Sequence, residues 1–245
     1  MNEDHHTWPH GELSVSEALA RRRAARRYRP EPIPVKTILE ILDQTRLTPS
    51  GFNLQPVHFV LVTDPGVKSR LRRACMDQRQ VDEASAAVVI VSDLQPHRGR
   101  LDAILARDLE TGAIDSKYAE FCRRVVRLGF EAGPLGAWGL VKAGALAAAR
   151  LVRPMLRPML TRSQRREWSL RQAAMAGQTL LLAAAARGLD TCPMEGFDPW
   201  RVRRELGIPR RYLVALVVTV GRAVPHERPR RSRLPLRDLL HENRF

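Results

Sequence analysis

Pro49, Ser50, Gly51, Asn53, Gln55 and Pro56 stand together in the stretch Thr48–Phe59, between two segments of regular apolar spacing. Proline fixes φ, glycine permits positive φ, and Ser or Asn side chains bond nearby backbone, so such residues most simply build a helix-to-strand connector. The same residues bring one hydroxyl and two carboxamides close together, offering donors and acceptors to a heteroaromatic ring that carries both. Two other groups offer charge. Arg22, Arg23 and Arg26 fall in Arg22-Arg23-Ala24-Ala25-Arg26-Arg27-Tyr28, and Arg231 and Arg233 in Arg231-Ser232-Arg233-Leu234-Pro235. On a helix Arg22 and Arg26 share a face, and on an extended segment Arg231 and Arg233 point to one side. Either pair can turn two guanidinium forks toward one phosphate, and either can equally be a solvated basic end. The stretch Gly188–Asp198 leads a short strand through Pro193 and Gly196 toward a capped helix, which exposes backbone N–H groups in the turn. Its Cys192 has no histidine nearby in sequence and reads as a small semi-buried thiol rather than a nucleophile.

The elements that must position these groups are marked by caps and periodicity. Ser14 and Glu17 form a capping box, so a helix starts near Val15 and runs into the basic cluster Arg21–Arg29 before Pro30, Pro32 and Pro34 end it. Val35, Ile38, Leu39 and Leu42 share a face of a second helix, Val35–Thr45, that leads into the Ser50 motif. Val57–Thr63 reads as a strand, residues 66–77 as a helix and Ala86–Val91 as a strand buried on both faces. Residues 101–127 read as helical and Arg165–Arg187 as a long central helix stopped by Gly188. Asp198, Pro199 and Gly207 bracket a short helix, and Tyr212–Val220 is a third strong strand. The remainder, rich in proline and arginine, is an extended arm.

With 245 residues, 44% of them hydrophobic, the chain has material for a sizeable core and reads as one domain with a flexible N-terminus (1–13), a variable helical segment (94–165) and a C-terminal arm (222–245). The formal net charge of +15 is almost wholly arginine, lysine occurring only at Lys36, Lys68, Lys117 and Lys142. Nucleic acid is therefore a candidate partner, but the arginines are spread over most elements and no zinc-finger, RNA-recognition or basic-zipper pattern accompanies them. Three widely spaced cysteines, Cys75, Cys122 and Cys192, fit neither a disulfide framework nor a metal site. No signal-peptide pattern and no uninterrupted apolar span is present, so the expectation is a cytoplasmic protein with no membrane partner.

Taken in order, the Arg-Arg-x-x-Arg segment, P-S-G-x-N-x-Q-P, G-L-D-x-x-P-M-E-G-F-D and R-S-R-L-P resemble the FMN-dependent nitroreductase family over nearly the whole chain apart from about residues 94–165. Ala24 stands where the family usually has serine, and Val57 where it often has tryptophan. The resemblance implies an α+β fold with a central, mainly antiparallel sheet flanked by helices, and a C-terminal arm exchanged between the subunits of a homodimer. It implies that Ser50, Asn53 and Gln55 contact the isoalloxazine or ribityl group of FMN. By the same resemblance Arg22, Arg23, Arg26, Arg231 and Arg233 hold its phosphate, and Met194, Glu195 and Gly196 line the ring. The implied activity is NAD(P)H-dependent, ping-pong reduction of nitroaromatic, quinone or related electron-poor acceptors, with no side chain required as catalytic acid. An FMN-dependent dehydrogenase or oxidase of a natural product is the second enzymatic reading, and a basic nucleic-acid-binding protein the alternative from another class.

The apolar stretch 128–162 must cover something. Either it packs on the long helix that follows, or it is a lid over the flavin with Gly129, Gly133, Gly136, Gly139 and Gly144 as joints and Phe130 or Trp138 stacking on the acceptor.

Overall fold

The run Ala86-Ala87-Val88-Val89-Ile90-Val91 leaves no side for water, and in the computed structural model it forms an inner strand. Described are residues 13–131, 137–152, 154, 158–225 and 232–245. Strand β2 (Ala86–Asp93) is buried throughout and pairs antiparallel with β1 (Val57–Val62) and β4 (Tyr212–Gly221), while β3 (Asp190–Met194) pairs antiparallel with the far side of β4. The sheet order is therefore β1-β2-β4-β3, with β1 and β3 at opposite edges.

Successive β2 side chains alternate between two cores, as the period of two requires. Ala87, Val89 and Val91 meet Leu71 of α3 (Pro65–Ala74), Val81 of α4 (Gln80–Glu83) and Val202 of α9 (Pro199–Glu205). Ala86, Val88 and Ile90 meet Ile38 and Ile41 of α2 (Val35–Thr45) and Ala173, Leu180 and Ala184 of α8 (Arg162–Ala186). Helix α8 comes so close at Gly177 that a Cβ there would stand 2.9 Å from Leu216 Cδ2. A third cluster joins Leu54, Leu101, Leu105, Val126 and Phe130, and ties α5 (Leu101–Glu110) and α6 (Ser116–Phe130) to the approach to β1.

Three expectations are corrected. Helix α1 (Val15–Arg21) keeps the Ser14–Glu17 capping box but stops before the basic cluster, Arg22 having ψ 123°. From there the chain runs extended: Ala24 bridges Thr191 in parallel, and Ala25 N–H donates to the Thr191 carbonyl at 3.0 Å. Arg22 and Arg26 thus share no helix face. The segment expected as one helix from 101 to 127 is two, because Gly112 takes φ 70° and Asp115 caps a new start through Tyr118 N–H at 2.7 Å. The lid reading fails for Phe130, which is 1% exposed inside the third cluster. Three of its glycine joints lie within helices, Gly129 in α6 and Gly139 and Gly144 in α7 (Ala137–Arg150). The side chain of Trp138, together with residues 132–136, lies outside the described residues.

Candidate functional site

The Ser50 motif enters β1 through one 3-10 turn, Gly51–Asn53. Phe52, Asn53 and Gln55 have φ of 54°, 51° and 45°, the left-handed region that costs a non-glycine residue about 1–2 kcal/mol. Such geometry persists only where surroundings over-determine it. Leu54 is fully buried in the third cluster. Gly51 N–H donates to Gln172 Oε1 on α8 at 3.1 Å, Gln55 N–H to Ser50 Oγ at 2.9 Å, and Arg100 Nη1 to the Gln55 carbonyl at 2.5 Å. Asn53 Nδ2 reaches Asp108 Oδ2 and Gln55 Nε2 reaches Asn53 Oδ1, both at 3.3 Å. Beneath the turn lies the Trp168 indole, 3.4 Å from where a Gly51 Cβ would be.

Ser50 and Gln55 line an open cleft of about 450 Å³ with Arg46, Phe59, Arg100 and Gln172. His58 lies behind it. Burial first, then the Arg100 guanidinium, hold its pKa below the usual histidine value, and Nδ1 faces Arg100 Nη2 at 3.5 Å.

The second cluster of predicted residues lies along β3. Its outer edge carries the extended Arg22–Tyr28 segment, anchored where Tyr28 Oη and Thr219 Oγ1 share a buried hydrogen bond of 2.8 Å. Gly221 makes room for that ring, since a Cβ there would stand 2.5 Å from Tyr28 Cδ1. Arg21 donates to the Gly188 carbonyl at 2.7 Å, Arg27 Nε to Glu83 Oε2 at 3.1 Å, and Arg29 Nη1 to Glu31 Oε1 at 3.5 Å. Among the described residues, the guanidinium groups of Arg22 and Arg26 meet neither a carboxylate nor another hydrogen-bonding partner. Ala24 packs its methyl against the core beside β3, so the position that usually carries a serine hydroxyl offers none here.

At the end of β3, Met194 is buried while Glu195 and Gly196 are exposed. Sequence reasoning missed two neighbours. Gln78 Nε2 donates to the Gly196 carbonyl, and Gln80 Nε2 to Gln78 Oε1, both at 2.8 Å. Their only signal was a polar pair in an otherwise ordinary loop; the left-handed Met76 and Asp77 that aim them there, at φ 54° and 53°, carry no glycine to announce the bend. Burial pushes the Cys192 thiol up, against the opposing effect of Arg26, so it is no thiolate nucleophile. Arg233 lies exposed in the arm, its Nη1 donating to the Ser232 carbonyl at 3.0 Å, and Arg231 lies outside the described residues.

The two clusters do not meet within one chain. Ser50, Asn53 and Gln55 belong to the β1 edge, and Arg22, Arg26, Met194, Glu195 and Gly196 to the β3 edge. Three inter-strand steps of about 4.8 Å put roughly 14 Å between those edges.

Known proteins are similar to this chain in sequence and in fold. A protein from Thermus thermophilus named NADH dehydrogenase is 30% identical over 224 residues, covering 91% of this chain and 93% of that one. The oxygen-insensitive NADPH nitroreductase of Helicobacter pylori is 24% identical over 196 residues, covering 76% of this chain and 75% of its own. A structure from Exiguobacterium sibiricum, solved in complex with FMN, superposes with a TM-score of 0.71 at 22% identity, over 94% of this chain and 97% of that chain. The model of the nitroreductase family matches residues 19–222. With the antiparallel sheet, the motifs at its two edges and this match over most of the length, the chain belongs to the nitroreductase family.

Proposed function

We propose that the protein is an FMN-dependent NAD(P)H oxidoreductase that reduces nitroaromatic, quinone or related electron-poor acceptors in alternating half-reactions, and that two copies of the chain complete each flavin site. The observation that carries the reading is the division of the site residues between opposite sheet edges, each cluster preorganised and neither sufficient. Arg22 and Arg26, with Arg23, Arg231 and Arg233, hold the phosphate of FMN. Met194, Glu195 and Gly196 line the ring from the same chain, and Ser50, Asn53 and Gln55 close over it from the second copy. The flavin, when bound, supplies the hydride acceptor and donor; the chain's own residues bind it, orient it and keep water from its face.

A homodimer also accounts for surface that one chain leaves uncovered. In the arm Leu234, Leu236, Leu239 and Leu240 are 53–71% exposed and Phe245 is wholly so, while among the described residues β1 keeps an unpaired edge. An arm laid across a second copy covers both in a two-fold contact. Several arginines pair with carboxylates on separate elements, for instance in Arg72–Asp82, Arg123–Asp102, Arg127–Asp102 and Arg211–Asp93. That is a folded protein's charge network rather than a nucleic-acid track.

Co-expressing two differently tagged variants tests the composite site. Arg22→Ala/Arg26→Ala and Ser50→Ala/Asn53→Ala should each bind FMN poorly, whereas their heterodimer rebuilds one intact site per pair. Purified heterodimers should therefore carry the yellow flavin spectrum and about half of the wild-type NAD(P)H-linked reductase activity. Heterodimers as flavin-poor as both parents would refute the shared site, and a colourless wild-type protein that binds no added FMN would refute the flavoprotein reading.

A further inference from the structure

The turn that follows β3 is held at one peptide unit from both of its ends. Gln78 Nε2 donates to the Gly196 carbonyl at 2.8 Å, and Phe197 N–H, the other end of that unit, donates to the Glu195 carbonyl at 3.0 Å. Gln78 is fixed in turn by Gln80, which is 8% exposed and donates to Gln78 Oε1 at 2.8 Å. The helix that carries Gln80 is tied down as well. Lys68 Nζ donates to the carbonyls of Ala84 at 2.6 Å and Asp82 at 3.2 Å, and Arg72 Nη1 to Asp82 Oδ2 at 2.8 Å. The result is asymmetric: the carbonyl of Gly196 is engaged, yet among the described residues the consecutive N–H groups of Glu195 and Gly196 have no acceptor. Among the described residues, these are two donors without partners on a clamped, exposed turn.

We propose that Gln78 is a positioning residue for the redox step: by clamping the Gly196–Phe197 peptide it aims the Glu195 and Gly196 N–H groups at the ring edge that takes up hydride. The inference rests on the flavin reading given above. Hydride donation breaks a nicotinamide C–H bond, forms an N–H bond on the ring and transfers two electrons, leaving the nicotinamide oxidised and negative charge on the reduced ring. Donors already fixed toward that charge stabilise it without reorganising, whereas donors on a loose turn must first be ordered. Gln78 acts through the peptide and needs no contact with the ring. Its grip also constrains Gly196, where a Cβ would stand 3.1 Å from Gln78 Nε2.

The test compares the FMN-loaded wild type with Gln78→Met, which keeps length and loses the donor, and with Gln80→Leu, which loosens Gln78 without touching the turn. Two quantities are read: the dissociation constant of oxidised FMN by fluorescence quenching, and the two-electron midpoint potential of bound FMN against a reference dye. The expected result for Gln78→Met is a fall of about tenfold in the affinity for reduced relative to oxidised FMN, about 30 mV more negative for a two-electron couple. Oxidised FMN should bind within about threefold of wild type, and Gln80→Leu should shift the potential in the same direction by less. An unchanged potential in FMN-replete Gln78→Met overturns the proposal. So does weaker binding of both redox forms alike, which would leave Gln78 a purely structural support; if Gln78→Met does not fold, an unchanged potential in Gln80→Leu does the same. A wild type that takes up no FMN instead overturns the flavin reading on which the inference stands.

Discussion

Acidification from pH 7 to pH 4.5 should weaken the base of the Ser50 loop chiefly through the His97 imidazole, whose pKa is pushed down to about 4. His97 is 6% exposed, lies 4.9 Å from the Phe130 ring in a stacked pair, and has no hydrogen-bond partner on either ring nitrogen among the described residues. Burial above all, then the nearby Arg165 and Arg98 guanidinium groups, push its pKa from 6.5 down to about 4, with Asp93 opposing. In the window between those values the unfolded chain binds a proton that the folded chain refuses. The contribution to stability is therefore intact above about pH 6.5, falls as the pH drops, and is fully lost near pH 4. The difference between 6.5 and about 4 corresponds to about 3 kcal/mol at 1.36 kcal/mol for each pKa unit. Replacing His97 with Phe removes the titration and keeps an aromatic ring against Phe130. Urea unfolding at pH 7, 5.5 and 4.5 should find His97→Phe at least as stable as wild type at pH 7, since two unsatisfied nitrogens disappear. At pH 4.5 the variant should be ahead by a further 2 kcal/mol or so, the greater part of the full effect. Stability curves that stay parallel over the whole range would refute the assignment. Phe130 also meets Trp168 edge-on at 5.2 Å, and Trp168 underlies Gly51. Acid should thus raise the FMN dissociation constant of wild type more than that of His97→Phe.

Arg22→Ala and Arg26→Ala should each weaken FMN by about 1.5–3 kcal/mol, the range of a charged hydrogen bond, and unchanged affinity in flavin-fluorescence titrations would exclude a shared phosphate. Gly221→Ala should destabilise by about 1–3 kcal/mol through overpacking against Tyr28 and lower FMN content at the same time, because Tyr28 anchors the strand bearing both arginines; thermal melts with and without FMN read both effects. Leu54→Ala should cost about 2–5 kcal/mol and release the left-handed loop, seen as proteolytic cleavage near Phe52 that wild type resists. Deleting residues 225–245 should give a flavin-poor monomer by light scattering, and a flavin-replete monomer would exclude arm exchange.

What the sequence made legible is what local chemistry determines. The Ser14–Glu17 box, the Asp198 cap with Pro199 behind it, and the positive φ of Gly188 and Gly207 all fall where residue type alone demands them. The double burial of β2 follows from its unbroken apolar run. What was illegible has distant causes. Arg22–Arg29 has good helix formers, yet Thr191, far along the chain, pairs with Ala24 and draws the segment out straight. The left-handed Phe52, Asn53 and Gln55 contain no glycine to announce them, and owe their conformation to Leu54 below and to Gln172 and Arg100 at the sides. The glycines around residue 130 suggested joints, but Gly129 lies inside α6, where a Cβ would make contact with Met159 Cε at 3.4 Å, so it belongs to a packed helix rather than a hinge.

Helix α6 is thus a support under the Ser50 loop rather than a lid over it. Within the variable segment, α5 and α6 bury Leu101, Leu105, Val126 and Phe130 around Leu54 and so act as the foundation of the Ser50 loop. A substitution on its inner side is felt by the cofactor first, through the loop, and by every acceptor alike. On the outer side Tyr118 and Phe121 are 50% and 47% exposed and carry no such burden. Their replacement leaves the foundation intact, so flavin content should stay constant there. Inner-face and outer-face substitutions on the same helix thus separate a loss of cofactor passed through the loop from a surface change that leaves the site alone, a distinction the order of residues along α6 cannot make.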